Sequence, residues 1–273
     1  MTQQAVVHAP MDSGVSEDAR DFSVRDRVVI ITGAGQGIGR EFARQFAAAG
    51  AVAVVADRDE GKGAEVVAEI VRAGGRAMAI KVDIADERSV EAMASEVARV
   101  HGRIDVLVNN AGIFATLGRK PFDQISPGEW DQVMQVNVTG TFLCVRSVSA
   151  HMRKARWGRI VNIASDAVVL GVANYLHYVA SKSAVIGMTN ALARELGPHG
   201  ITVNAVRPGG VATEVERTVN PSIERRTAMM AQQCLPRGQL PTDLVGLVMF
   251  LSTPASDFVT GQTIACDGGL THC

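Results

Sequence analysis

From residue 27 onward two textures alternate along the chain. Short runs of β-branched and aliphatic residues lie at 28–32, 52–56, 77–82, 104–108, 159–164, 202–206 and 263–266. Several are apolar throughout rather than at every second residue, the pattern of strands buried on both faces of a parallel sheet. Between them run longer stretches with apolar positions at helical spacing, at 38–49, 63–73, 87–100, 129–153, 178–196 and 244–251. Regular alternation of this kind predicts βαβ units and an α/β fold with a doubly wound parallel sheet of about seven strands. No composition break divides residues 26–273, so one domain is expected, with 1–25 as a loosely ordered polar tail. Residues 211–240 are polar and carry Pro221 and Pro236, and read as a mobile helical lid over the late part of the fold.

Composition narrows the function. Among 273 residues 47% are hydrophobic and 20% charged, which excludes wholesale disorder. A net charge of −1 supplies no field for nucleic acid or anionic lipid. The four cysteines form no CxxC pair, and the six histidines form no HExxH. Free thiols in a reducing compartment, and no metal site, are the expectation. No signal-like start and no membrane-length apolar run is present, so a cytoplasmic protein without a membrane partner is expected.

Candidate chemistry begins after the first strand, at Thr32-Gly33-Ala34-Gly35-Gln36-Gly37-Ile38-Gly39. A strand that turns through glycines into a helix aims backbone N–H groups and a helix N-terminus at one point, a site for a pyrophosphate. Gly33 suits the tight turn, Gly37 a close approach to phosphate, and Gly39 close packing of the helix. Asp57 follows the second strand. A carboxylate there accepts from adenosine ribose hydroxyls and repels a 2′-phosphate, which favours NAD over NADP. Arg58 next to it is the complication, since a guanidinium pairs well with phosphate.

Tyr178 and Lys182 stand four apart in a helical stretch. Four residues turn a helix by about 400° and raise it about 6 Å, so both side chains share a face. An ammonium near a phenol favours the phenolate, and such a pair can exchange a proton with an alcohol or carbonyl near neutral pH. His177 is a weaker candidate base, because its helix position turns it away. Phe114, Leu170 and Val172 are candidate pocket walls or ordinary core.

Together with Asn109-Asn110-Ala111-Gly112, Asn137, Ser165 and Pro208-Gly209, these motifs resemble the short-chain dehydrogenase/reductase family over residues 26–270. The resemblance implies a Rossmann-like fold and a catalytic set of Asn137, Ser165, Tyr178 and Lys182. Tyr178 would be the general acid/base and Ser165 would orient the substrate oxygen. Lys182 would tune Tyr178 and hold the nicotinamide ribose, and Asn137 would keep a water in a proton relay. Cofactor contacts would come from Gly33, Gln36, Gly37, Ile38, Gly39, Asp57 and Arg58. Asp83 and Ile84 would bracket the adenine, and Asn110, Ala111 and Gly112 would border the cofactor. Pro208, Gly209, Val211 and Thr213 would meet its carboxamide.

The expected activity is NAD-dependent hydride transfer to or from a secondary alcohol or ketone. A 3-oxoacyl thioester reductase using NADPH or NADH is the second reading, and a non-enzymatic dinucleotide-binding protein the third. Arg217, Arg225 and Arg226 could meet an acidic substrate or line a solvated helix face. A homotetramer, or failing that a dimer, is expected. The stretches 129–153 and 178–196 carry more apolar positions than one sheet-facing stripe needs, among them Val133, Val136, Phe142, Val145, Val148, Val185, Ile186, Met188 and Leu192. In the resembling family the second face packs on another subunit.

Overall fold

A computed structural model of the chain describes residues 21–216, 218 and 223–272. The expectations placed on residues 1–20, on Arg217, on Pro221 and on the Arg225 and Arg226 side chains lie outside the described residues.

One sheet organises the rest. Its strands are β1 (Val28–Thr32), β2 (Val52–Asp57), β3 (Arg76–Lys81), β4 (Val106–Asn109), β5 (Gly158–Ile163), β6 (Ile201–Pro208) and β7 (Thr263–Cys266). They are parallel and lie in the order β3-β2-β1-β4-β5-β6-β7, the Rossmann-like architecture expected. β1, β4, β5 and β6 are buried at every position, which is why their sequences are apolar without alternation. The two edge strands are less covered, and β3 carries the exposed ends Arg76 and Lys81.

The helices are α1 (Gly37–Ala48), α2 (Glu60–Arg72), α3 (Glu87–His101), α4 (Pro127–Met134), α5 (Thr141–Ala155), α6 (Ala167–Leu170), α7 (Leu176–Leu196), α8 (Ile223–Ala231) and α9 (Thr242–Leu251). Two cores result. On one face Val29 and Ile31 meet Phe42, Phe46, Val66, Ile70, Leu244 and Val248, from α1, α2 and α9. On the other, Val28 and Ile30 meet Val90, Met93, Leu143, Met152 and Leu196, from α3, α5 and α7. The successive β1 side chains feed opposite layers, as a strand's two-residue period requires. The strand order reverses at β1, so the crevice beyond its C-terminal end is the ligand position for such a sheet.

The stretch 129–153 is helical throughout, with one local departure from α geometry. Ser126 accepts from Glu129 N at 3.2 Å and Pro127 opens α4, but residues 135–140 widen into a π turn before α5 begins. The extra residue in that turn brings Asn137 to a fully buried position. The apolar positions of 129–153 and 178–196 divide between the core and the surface. Val133, Val145, Val148 and Val185 are buried inside this chain, so they belong to its own core. Phe142 remains 43% exposed, and Val136, Ile186, Met188 and Leu192 are half-covered. The periodicity counts apolar positions without knowing that two helical layers meet there.

Candidate active site

β1 delivers the chain to a turn at the C-terminal edge of the sheet. Gly33 has φ +65°, a conformation L side chains resist, and donates to Ala56 O of β2 at 2.8 Å. A Cβ on Gly33 would stand 2.8 Å from Ala111 Cα, and one on Gly39 would stand 2.3 Å from Gly33 O. α1 is therefore pressed against the turn, and its first N–H groups, which have no intrahelical partner, lie at the crevice. Thr32 Oγ1 accepts from Asn110 N and Ala111 N, both at 3.1 Å, and Asn110 Nδ2 donates to Thr32 O and Gly33 O at 3.0 and 3.1 Å. The segment expected to border a cofactor thus also braces the glycine turn.

Donors of this kind fit a pyrophosphate. The structure supplies an internal check. Glu214, from the loop after β6, accepts from Gly37 N at 2.9 Å and stands 3.5 Å from Arg40 Nη1. Burial opposes its charge, but the Gly37 N–H and Arg40 outweigh burial and hold the carboxyl below its usual range. The Gly37 N–H and Arg40 thus hold an anionic group at the α1 N-terminus. Val215 and Thr213 come with it, their methyls 3.1 and 3.8 Å from where a Gly37 Cβ would lie. Thr213 is thereby brought to the glycine turn.

Asp57 closes the other side. Its Oδ2 accepts from Gly35 N at 2.8 Å and its Oδ1 from Asp59 N at 2.9 Å. Arg58 is exposed beside it. A second cation was not legible in the sequence. Lys62, in the first turns of α2, donates to Gln36 Oε1 at 2.7 Å, and its Cβ and Asp57 Oδ2 both lie 2.9 Å from a Cβ position on Gly35. Its place five residues after Asp57, at the opening of the second helix, is the signal that could have found it. Ile84 is buried against Gly140, while Asp83 is exposed and accepts from Ala85 N at 2.9 Å. Ile38 is half-buried and packs on the core of the α1 face.

The proton-handling residues gather at the ends of β5 and β6. Ala164 N donates to Val206 O at 2.8 Å and Asp166 N to Pro208 O at 3.0 Å, which fixes Ser165 between them. Tyr178 and Lys182 share the inward face of α7, as the spacing predicted, and are 7% and 6% exposed. Lys182 Nζ donates to Ile163 O at 2.7 Å and lies 5.9 Å from the Tyr178 ring centre. Burial alone pulls its pKa down to about 8. Asn137 is held on both sides. Its Oδ1 accepts from Ile113 N at 2.7 Å, and its Nδ2 donates to Ile113 O and Ser181 Oγ at 3.2 and 3.0 Å. A Cβ on Gly112 would stand 3.1 Å from Asn137 Oδ1 and 3.6 Å from Lys182 Nζ, so the segment after β4 closes over both.

Phe114 covers Tyr178, with ring centres 5.1 Å apart, and Tyr175 hydroxyl donates to Phe114 O at 3.1 Å. Val172 packs on the same small cluster, whereas Leu170 is exposed. His177 is fully buried, with Nε2 3.4 Å from Glu129 Oε1 but without hydrogen-bond alignment. It faces α4. Gly209 N donates to Gln239 Oε1 at 2.9 Å and Val211 is buried, which ties the turn after Pro208 to the far end of the 211–240 segment. Among the described residues no cluster of three or more His, Cys, Asp or Glu could hold a metal, and no helix is long and apolar enough to cross a membrane.

The short chain dehydrogenase family model matches residues 27–224. The short-chain reductase protein NovJ of Streptomyces niveus is 40% identical over 258 residues, covering 90% of this chain and 94% of that protein. The 3-oxoacyl-acyl-carrier-protein reductase FabG of Staphylococcus aureus is 38% identical over 242 residues, covering 88% and 96%. A Beutenbergia cavernae structure solved under the name NAD(P) dependent gluconate 5-dehydrogenase, with NADP at low occupancy, superposes with a TM-score of 0.85 at 40% identity, covering 91% of this chain and 98% of that one.

Proposed function

Because this chain belongs to the short-chain dehydrogenase family, we propose that it is an NAD-dependent oxidoreductase acting on a secondary alcohol or ketone. The observation that carries the reading is the enclosure of Tyr178 and Lys182 on one face of α7, beside Ser165 and across the crevice from the glycine turn. When bound, a nicotinamide dinucleotide supplies the hydride exchange that no side chain can perform. The chain supplies the rest. The Gly33–Gly39 turn and the α1 N-terminus hold the pyrophosphate, and Asp57 takes the ribose hydroxyls. Ser165 Oγ donates to the substrate oxygen and fixes it. Tyr178 hydroxyl gives that oxygen a proton in reduction and removes one in oxidation. Lys182, charged below pH about 8, favours the phenolate form. Phe114 limits water above Tyr178.

A 3-oxoacyl thioester reductase is the second reading, favoured by the similarity to FabG and by Lys62 beside Asp57. A panel of secondary alcohols, ketones and 3-oxoacyl thioesters, followed at the reduced-nicotinamide absorbance with each cofactor, separates the two. Absence of turnover across the panel would favour the non-enzymatic reading.

NAD preference rests on charge. Asp57 accepts two backbone N–H bonds that fix its carboxylate at the tip of β2, where a 2′-phosphate would meet a like charge. Asp57→Ala should lower the ratio of kcat/KM for NAD over NADP by about 10–100-fold, the worth of hydrogen bonds to a charged group. Equal or better efficiency with NADP in the unaltered protein would sink the assignment.

A homotetramer in the cytoplasm completes the proposal. Phe142 on α5 and the half-covered Ile186 and Met188 on α7 support it, since an apolar helix face is stable when covered. Light scattering at micromolar concentration should give a mass near four subunits, and a one-subunit mass would overturn the assembly.

A further inference from the structure

We propose that Asp166 is a positioning residue whose ionisation decides where the Ser165 hydroxyl points. The proposal rests on the assignment of Ser165 as the group that orients the substrate oxygen.

Asp166 occupies the residue before α6, where an aspartate ordinarily caps the helix. It does not do so here. Ser165 Oγ instead accepts from Ala167 N at 3.2 Å. That leaves the Ser165 O–H as the hydrogen to be placed, and its acceptor among the described residues is Asp166 Oδ1 at 3.5 Å. The contact is long, so a substrate oxygen can compete for the same hydrogen. Asp166 is 6% exposed, and its Oδ2 is buried without a hydrogen-bond partner.

Its surroundings set its charge. Asp267, beyond β7, accepts from Gly269 N, Leu270 N, Thr271 N and Thr271 Oγ1. Arg207 of β6 is buried nearby and opposes it. From α7, Lys182 Nζ donates to Ile163 O, two residues before Ser165, and Tyr178 lies one turn away on the same face. Burial first, and Asp267 second, raise the Asp166 pKa to about 6, against the smaller pulls of Ser165, the nearby Ala167 N–H and Arg207. Below that value the carboxyl is neutral and a poor competitor, and Ser165 donates to the substrate. Above it the carboxylate draws the Ser165 hydrogen to itself, and substrate oxygen must win it back.

The ionisation is tested without turnover. The infrared carbonyl band of a protonated carboxylic acid, in the unaltered protein minus Asp166→Asn, should be present at pH 5 and absent at pH 8. The sign for stability follows. A folded-state pKa raised above the unfolded one makes stability fall as pH rises through about 6. Asp166→Asn should therefore gain in melting temperature relative to the parent at pH 8 and not at pH 4. A double-mutant cycle of Ser165→Ala and Asp166→Asn on melting should show coupling at pH 8 that shrinks at pH 5. Turnover is read with cyclohexanone and with an acetoacetyl thioester. Reduction kcat/KM should fall about tenfold as Asp166 ionises, the worth of one hydrogen bond, and Asp166→Asn should remove that limb. A limb unchanged in Asp166→Asn, with Ser165→Ala disabled, overturns this inference and leaves the catalytic assignment standing. Normal turnover in both Ser165→Ala and Tyr178→Phe overturns that assignment and this inference with it. Equal coupling at both pH values also overturns the inference, whatever the substrate.

Discussion

Tyr178→Phe is expected to lower kcat by about 10²–10⁴-fold, the range that general acid/base catalysis contributes, with cofactor affinity preserved. The substitution keeps the ring that packs under Phe114 and beside Tyr175, and removes the hydroxyl proposed to exchange the proton. Stopped-flow reduction and cofactor titration by fluorescence separate the two effects. Lys182→Ala is the contrast. It removes the charge proposed to tune Tyr178 and a group closed over by Gly112, so both kcat and cofactor affinity should drop. A Tyr178→Phe protein with near-normal kcat would mean that another group moves the proton.

The second large effect is steric. Gly39→Ala places a Cβ 2.3 Å from Gly33 O and 2.5 Å from Asn110 Nδ2, one a backbone atom and the other the brace of the turn. Neither can give way alone, so α1 must move off the sheet. A destabilisation of about 3 kcal/mol is expected, at the upper end of overpacking. That corresponds to a melting temperature lower by roughly 6–12 °C. Because the α1 N-terminus moves with the turn, cofactor affinity should fall as well. Gly246→Ala is the control: it lies inside α9 with nothing within 4 Å of its Cβ position, and should stabilise by about 0.5–1 kcal/mol. Calorimetry on both proteins decides it, and an unshifted Gly39→Ala melt would show that the turn is looser than these distances.

The strands and most helices were legible because burial writes itself into periodicity. β1, β4, β5 and β6 are buried on both sides and so carry unbroken apolar runs, and the interposed amphipathic helices force a doubly wound sheet. The Tyr178–Lys182 pair was legible for a similar reason, since four residues on a helix fix a common face whatever surrounds it. The glycine turn and Asp57 could be placed because each ends a strand on the same sheet edge.

What only the tertiary structure decided involves contacts between segments far apart in sequence, for which no local period exists. The π turn at Asn137 depends on the Ile113 backbone and Ser181, 24 and 44 residues away. Glu214 reaches the α1 N-terminus across 177 positions, and Lys62 flanks Gly35 only because α1 and α2 pack on one face. The apolar residues of α5 and α7 could be counted in the sequence, but whether they face this chain's core or its surface is set by which layers meet. Asp166 is the sharpest case. Beside a serine before a short helix its local chemistry predicts a cap, whereas desolvation between β5 and β6 and the charge of Asp267 make it a titrating group. Residue type and spacing therefore determined the family of chemistry, and long-range burial and charge decided which side chains tune it.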